Sequence, residues 1–210
     1  MKDVILIFGG ESISEGIKLD LWSRIRGKNV WSINYAFKTF DFLPSAEIWV
    51  DISFFKKNME ALQKLYLAGV PCHAKKHQVY AGINEINTYE TTRNPQEMDK
   101  KLYIGRMGLS GFFALSLAIR QGYENIWMLG NDFGSKTNKT HYYQDDIKVD
   151  STGIGHPELY RNNGQVKEEV RDWEYFLQYQ KNIINVSMKS SIECFPKISY
   201  LEFFKKINEN

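Results

Sequence analysis

Residues able to do chemistry fall at a few points in the sequence, each beside a short apolar run or a helix start. The first is Phe8-Gly9-Gly10-Glu11-Ser12, where an apolar stretch meets a glycine pair and then a polar helix start. Backbone N–H groups and the positive end of a helix converge at such a turn, so Gly9, Gly10, Glu11 and Ser12 form a candidate phosphate seat. The glycines let the chain turn sharply and let a ligand approach the backbone. The spacing is not GxGxxG, so no dinucleotide fingerprint is present, and a plain strand-to-helix turn is the alternative reading. A second set, Asn34, Asp51 and the pair Asn131-Asp132, closes expected strands. Ligands of open α/β sheets bind outside the carboxyl ends of the strands, so these side chains point to one crevice. Each alone also fits a capping residue. The third is Gly108-Leu109-Ser110-Gly111, where small residues at a helix start offer N–H donors to an anion. A capping serine followed by a packing glycine reads equally well. The fourth is Gly153-Ile154-Gly155-His156, with Tyr142 and Tyr143 upstream. A histidine on a glycine-flexed loop suits proton transfer near neutral pH, and a surface loop histidine is the alternative.

Other chemistries find less support. His73 and His77 are spaced like helical metal ligands, but Pro71 and Lys75-Lys76 argue against a helix and no third ligand is near. No Walker loop, GxSxG elbow, CxxC pair or HExxH occurs.

The elements that must position these residues follow from periodicity. Val4 to Phe8 reads as a strand buried on both faces. Ile13, Ile17, Leu21 and Ile25 recur every four residues, predicting one helix that Ser12 or Ser14 caps and Gly27 ends. Further strands are expected at Val30 to Ile33, Glu47 to Val50, Val70 to His73, Val79 to Ile83, Asn125 to Leu129 and Ile183 to Val186. Helices are expected at about Phe54 to Ala68, Leu109 to Arg120, Pro157 to Lys181 and Tyr200 to Ile207. This alternation predicts an α/β fold: a Rossmann-like, doubly wound, mostly parallel sheet with helices on both faces. The polar stretches 84–108 and 135–156 read as loops or a lid. With 210 residues and no internal repeat, 1–210 is expected to be a single nucleotide-binding domain.

Composition narrows the partners. Lysine and arginine total 27 against 25 acidic residues, a formal charge of +2, too small an excess to predict a duplex-binding surface. No apolar run approaches the roughly 18 residues of a membrane span, and Met1-Lys2-Asp3 with the short run after it does not make a signal peptide. Cys72 and Cys194 read as small buried hydrophobes of a reducing compartment. The expectation is a cytoplasmic protein of unknown oligomeric state.

One block resembles known families. Ser110-Gly111-Phe112-Phe113-Ala114-Leu115-Ser116-Leu117-Ala118-Ile119, then Gly122-Tyr123-Glu124-Asn125-Ile126-Trp127-Met128-Leu129-Gly130-Asn131-Asp132-Phe133, resembles the bacterial family 42 sialyltransferases. Their pattern there is SG, an apolar helix, then LGY-x-x-I-Y-x-x-G-x-D-F. The block is also similar to archaeal 6-hydroxymethylpterin diphosphokinase and its relatives, where the segment ends in G-x-D-L. Gly9-Gly10-Glu11-Ser12-Ile13-Ser14 is similar to the G-N/G-G-P-S-L turn of both families, with Glu11 in place of proline.

The first resemblance implies a transferase: a glycosyltransferase taking a nucleotide-activated sugar, a CMP-sugar, and a hydroxyl acceptor, with no cofactor required. It implies that Asn34, Ser110, Gly111 and Asp132 line the nucleotide pocket, that His156 is catalytic, and that Tyr142 and Tyr143 are candidates to hold the leaving phosphate. The second implies a pyrophosphokinase, in which Asp51 and Asp132 would hold magnesium on ATP. A nucleotide-binding member of the same fold without turnover is a third reading.

Overall fold

After its first residue, β1 (Asp3–Ile7) is buried at every position, so it must be covered on both faces. The computed structural model describes residues 2–80, 83–106, 108–133, 141–143 and 170–209. Its other strands are β2 (Val30–Ile33), β3 (Ala46–Trp49), β4 (Cys72–Lys75), β5 (Ile86–Tyr89), β6 (Thr91–Thr92), β7 (Leu102–Tyr103), β8 (Asn125–Leu129) and β9 (Asn182–Val186). Seven of them form one sheet in the order β5-β4-β3-β2-β1-β8-β9, and every neighbouring pair is parallel. The chain steps outward from β1 to β5, then returns to add β8 on the other side of β1. The order therefore reverses between β1 and β8, where an open α/β sheet leaves a crevice at its carboxyl edge. Strands β6 and β7 form a separate parallel pair.

Alternation along the strands sorts the two faces. Val4 and Leu6 of β1, with Trp31, Ile33, Ile48 and Met128, meet Phe112, Phe113 and Leu115 of helix α4 (Ser110–Arg120) and the rings of Trp173 and Phe176. Ile5 and Ile7 face the other way, towards α1 (Ile13–Ile17), α2 (Leu21–Ile25) and the C-terminal helix α5 (Tyr200–Glu209). That layer continues through Trp49, Cys72 and Ala74 onto α3 (Ile52–Leu67). Each fully buried aliphatic or aromatic side chain contributes about 1.5–3 kcal/mol. The α/β, parallel, doubly wound expectation holds, with helices on both faces.

Several local expectations do not. The helix expected over Ile13–Ile25 is broken in two: Asp20 adopts a left-handed φ of 63° and its carboxylate accepts the Ser23 hydroxyl at 2.8 Å. The break lets Leu21 and Ile25 reach the core and leaves Ile17 exposed. Of the strand expected at Val79–Ile83, the described residues Val79, Tyr80 and Ile83 belong to no strand. Gln78–Tyr80 is a 3-10 turn, and Tyr80 is buried as an anchor, its hydroxyl accepting Trp49 Nε1–H at 2.9 Å. The edge strand is β5, whose Asn87 and Thr88 are exposed, so no apolar run marks it. The stretch 84–108, expected as a loop or lid, contains β5, β6 and β7. Of the polar stretch 135–156, only 141–143 belong to the described residues. Of the helix expected from Pro157 to Lys181, the described part is a short helical end at 170–172 and a 3-10 turn, Trp173–Tyr179. Among the described residues no helix is long and apolar enough to cross a membrane.

Candidate functional site

The strands β3, β2, β1 and β8 are consecutive neighbours, so Asp51, Asn34, Gly9-Gly10 and Asn131-Asp132 follow their carboxyl ends along one edge of the sheet.

Gly10 is clamped against the end of β8. A Cβ on it would stand 2.3 Å from the Gly130 carbonyl oxygen and 2.6 Å from Asp132 Oδ2, so only glycine fits. Its N–H donates to that same Gly130 oxygen at 2.8 Å. Asp132 is buried and accepts the Ser12 N–H at 2.7 Å and the Ser12 hydroxyl at 2.6 Å. The anion at this turn is thus the protein's own carboxylate, and α1 behind it is only five residues long. At the turn Gly9–Ser12, where a phosphate seat is expected, Asp132 takes the Ser12 donors and locks β1 to β8. Glu11 is half-buried next to it. Asn131 is buried and turned inward, donating to Met128 Sδ at 3.4 Å, while its carbonyl accepts from Asn185 Nδ2 and Ser190 Oγ. It anchors β9 and does not line the edge.

Asn34 and Ser110 do meet. Asn34 takes a left-handed φ of 57°, which asparagine tolerates, and so turns the chain out of β2 into the 3-10 turn Asn34–Thr39. The Ser110 hydroxyl donates to Asn34 Oδ1 at 3.2 Å and accepts the Val50 N–H at 3.1 Å. One hydroxyl therefore joins the ends of β2 and β3 to the start of α4. Ser110 is not the cap of α4, since Leu109 occupies that position and no side chain caps the helix. Gly111 packs where a Cβ would stand 2.7 Å from the Phe8 ring, so its bare Cα lets α4 sit against the end of β1. Asp51 stands at the N-cap of α3 without a capping side-chain bond and is exposed. The surrounding protein shifts its carboxyl up, and Lys75 pulls it the other way.

The segment 141–143 closes one side of this edge. The Tyr142 N–H donates to the Gly9 carbonyl at 2.9 Å, and its hydroxyl bonds Thr39 Oγ1 at 2.7 Å. Tyr142 thus ties the β1 turn to the β2 turn. The rings of His141 and Tyr143 stack at 5.1 Å beside Gly9, where a Cβ would lie 2.3 Å from His141 Cδ2 and 2.9 Å from the Tyr143 hydroxyl. Burial pushes the His141 imidazole down to about 4, so it is neutral at pH 7, and raises both tyrosine hydroxyls. His156 lies outside the described residues.

Below the edge, β2 and β3 are bridged by the fully buried Ser32 and Glu47, the hydroxyl donating to the carboxyl. Burial holds the Glu47 carboxyl well above the usual range, and its Oε1 has no partner among the described residues. The signal in the sequence is a lone acid inside the apolar run Ala46–Trp49. Thr39 and Tyr35, which pack on Tyr142 and Tyr143, carry no such signal. His73 is buried with Nδ1 3.0 Å from the Tyr89 hydroxyl, and burial lowers it to about 4. It is a core histidine, and among the described residues no cluster of three or more potential metal ligands occurs.

No family model matches the chain, and no curated protein matches it in sequence. Solved structures do. The sialyltransferase Cst-II, solved as a point variant in complex with CMP, superposes with a TM-score of 0.56 at 13% identity, covering 95% of this chain and 86% of that one. The monofunctional alpha-2,3-sialyltransferase Cst-I from Campylobacter jejuni gives a TM-score of 0.59 at 15% identity, covering 96% of this chain and 82% of that one. The chain has a sialyltransferase-like fold.

Proposed function

We propose that this protein is a glycosyltransferase that moves a sugar from a CMP-activated donor to a hydroxyl acceptor. The observation that carries the reading is the likeness of fold to two sialyltransferases over nearly the whole chain, one of them solved with CMP. The geometry supports it by bringing Asn34, Ser110 and Gly111 together beside the reversal of strand order, where such sheets take ligands. On this reading those residues hold the nucleotide. The acceptor oxygen attacks the anomeric carbon, and its proton passes to His156. The bond from that carbon to the donor phosphate breaks with its electron pair on the phosphate oxygen. Nearby hydrogen-bond donors stabilise the charge that the phosphate gains.

A positioned general base contributes about 10²–10⁴ in rate. His156→Ala is therefore expected to lower transfer by that range while CMP still binds, measured as sugar transfer from a CMP-sugar to a panel of hydroxyl acceptors. Transfer at the wild-type rate by the variant would refute the assignment. The pyrophosphokinase reading has Asp51 and Asp132 hold magnesium on ATP. Three strand spacings of about 4.8 Å separate the strands that carry them, roughly 14 Å in all. Magnesium bonds its ligands at about 2.1 Å, which speaks against one ion bridging both. Chelation of magnesium leaves transfer intact on our reading and abolishes activity on the other.

A further inference from the structure

We propose that Trp22 is a positioning residue for the nucleotide site, holding in place the 3-10 turn that presents Asn34; this rests on the nucleotide reading above. Asn34 opens the turn Asn34–Thr39 in a left-handed conformation, with φ at 57°. Such a backbone persists only where its surroundings hold it. One end of the turn is held at Asn34 itself, whose Oδ1 accepts the Ser110 hydroxyl at 3.2 Å. The other end is Thr39 and Phe40, and Phe40 rests on Trp22 with the ring centroids 4.9 Å apart.

The left-handed turn at Asp20 brings the indole there. It re-aims α2 so that Leu21 and Ile25 are buried, while Trp22 lies half-buried against the same core layer as Phe40, Phe42 and Tyr142. Two lines of contact leave Trp22. Along the first, Phe40 stacks on Phe42 at 5.1 Å, and the Arg26 guanidinium lies over the Phe42 ring at 5.7 Å while pairing with Asp41. That ion pair is exposed and adds little by itself. Along the second, the Tyr142 ring lies 6.4 Å from the indole and its hydroxyl bonds Thr39 Oγ1 at 2.7 Å. The Thr39 hydroxyl also donates to the Ala36 carbonyl at 2.8 Å, within the turn. Trp22, Phe40, Thr39 and Tyr142 therefore form a closed circuit of contacts around the end of the turn. Aromatic pairs of this kind favour particular ring geometries beyond the area they bury. Without the indole, Phe40 and Tyr142 lose their common support, and the turn is held at Asn34 alone.

The test measures CMP affinity by calorimetry for wild type, Trp22→Ala, Trp22→Leu, Trp22→Phe and Asn34→Ala, and for Trp22→Ala combined with Asn34→Ala. Loss of one hydrogen bond between neutral groups corresponds to roughly a 2- to 10-fold change in affinity. Trp22→Ala and Trp22→Leu are expected to weaken CMP binding by that factor, and Trp22→Phe, which keeps a ring against Phe40, to recover most of the loss. With Asn34 already replaced, Trp22→Ala is expected to cost less than about twofold more, because the residue that it positions is gone. Thermal melts establish that each variant is folded at the temperature of the titration, and Trp22→Leu carries the test should Trp22→Ala not fold. A folded variant without the indole that binds CMP as wild type does would make Trp22 a packing residue, and an equal loss with and without Asn34 would show that it does not act through that turn; either overturns the proposal. A wild-type protein that binds no CMP would overturn the nucleotide reading itself.

Discussion

Replacing Gly10 by alanine probes the joint on which the site is built. The new methyl carbon would lie 2.3 Å from the Gly130 carbonyl oxygen and 2.6 Å from an Asp132 carboxylate oxygen. The nearer neighbour is backbone, and it already accepts the Gly10 N–H at 2.8 Å, so relief requires the ends of β1 and β8 to part by nearly an ångström. Overpacking of this kind costs about 1–3 kcal/mol, and loosening the backbone hydrogen bond adds about 1 kcal/mol. For a chain of this size each kcal/mol lowers the midpoint of thermal unfolding by roughly 2–4 °C, so a loss of about 3 kcal/mol corresponds to roughly 6–12 °C. Gly122 is the control. Its φ is +80° and nothing lies within 4 Å of the position a Cβ would take, so Gly122→Ala meets only backbone strain. That strain is about 1–2 kcal/mol, partly offset by the reduced freedom of the unfolded chain. Calorimetric or circular-dichroism melts of the two variants decide the matter. A Gly10→Ala midpoint within about 2 °C of wild type, or a larger fall for Gly122→Ala, would refute the clamped geometry.

Other consequences are open to direct measurement. Ser12→Ala deletes one hydrogen bond to the buried Asp132 carboxylate, a loss of about 1.5–3 kcal/mol in urea unfolding; no change in midpoint would mean that Ser12 and Asp132 do not lock the turn. His73 and His141 are held near 4 when folded and near 6.5 when unfolded, so stability is full above pH 6.5 and falls as the pH drops towards 4. His73→Gln should flatten part of that slope, and a slope parallel to wild type would show that burial of His73 is not its cause. Glu47 acts with the opposite sign. Its unfolded carboxyl ionises above about 4.5 while the folded one keeps its proton, so it lowers stability as the pH rises beyond that value. The gain in stability from Glu47→Gln should therefore be larger at pH 7 than at pH 4, and a gain that does not vary with pH would contradict the buried neutral acid.

The sheet was legible because burial on both faces leaves an apolar run, as in Val4–Phe8, and because polar residues mark where such runs end. Asn34 could be placed at that edge for this reason, whereas Ser110, at a helix start, was joined to it only by the family resemblance. The errors share a physical origin. The spacing of Ile13, Ile17, Leu21 and Ile25 describes one helix, but it holds no trace of Asp20 turning left-handed to re-aim the second half. Nothing local to the glycine turn shows that Asp132, 120 residues away, takes the Ser12 N–H and hydroxyl. Only the folded chain brings Thr39 to the Tyr142 hydroxyl, 103 residues away. Strand β5 escaped notice because an edge strand keeps polar, exposed residues such as Asn87 and Thr88.

The most direct measurement is a crystal structure of the protein grown with CMP and without magnesium. Density for the nucleotide is predicted at the carboxyl edge of β1 and β2, against Asn34, Ser110 and Gly111. CMP bound on another face, or an edge left unoccupied at saturating CMP, would contradict the placement of a cytidine nucleotide in this crevice.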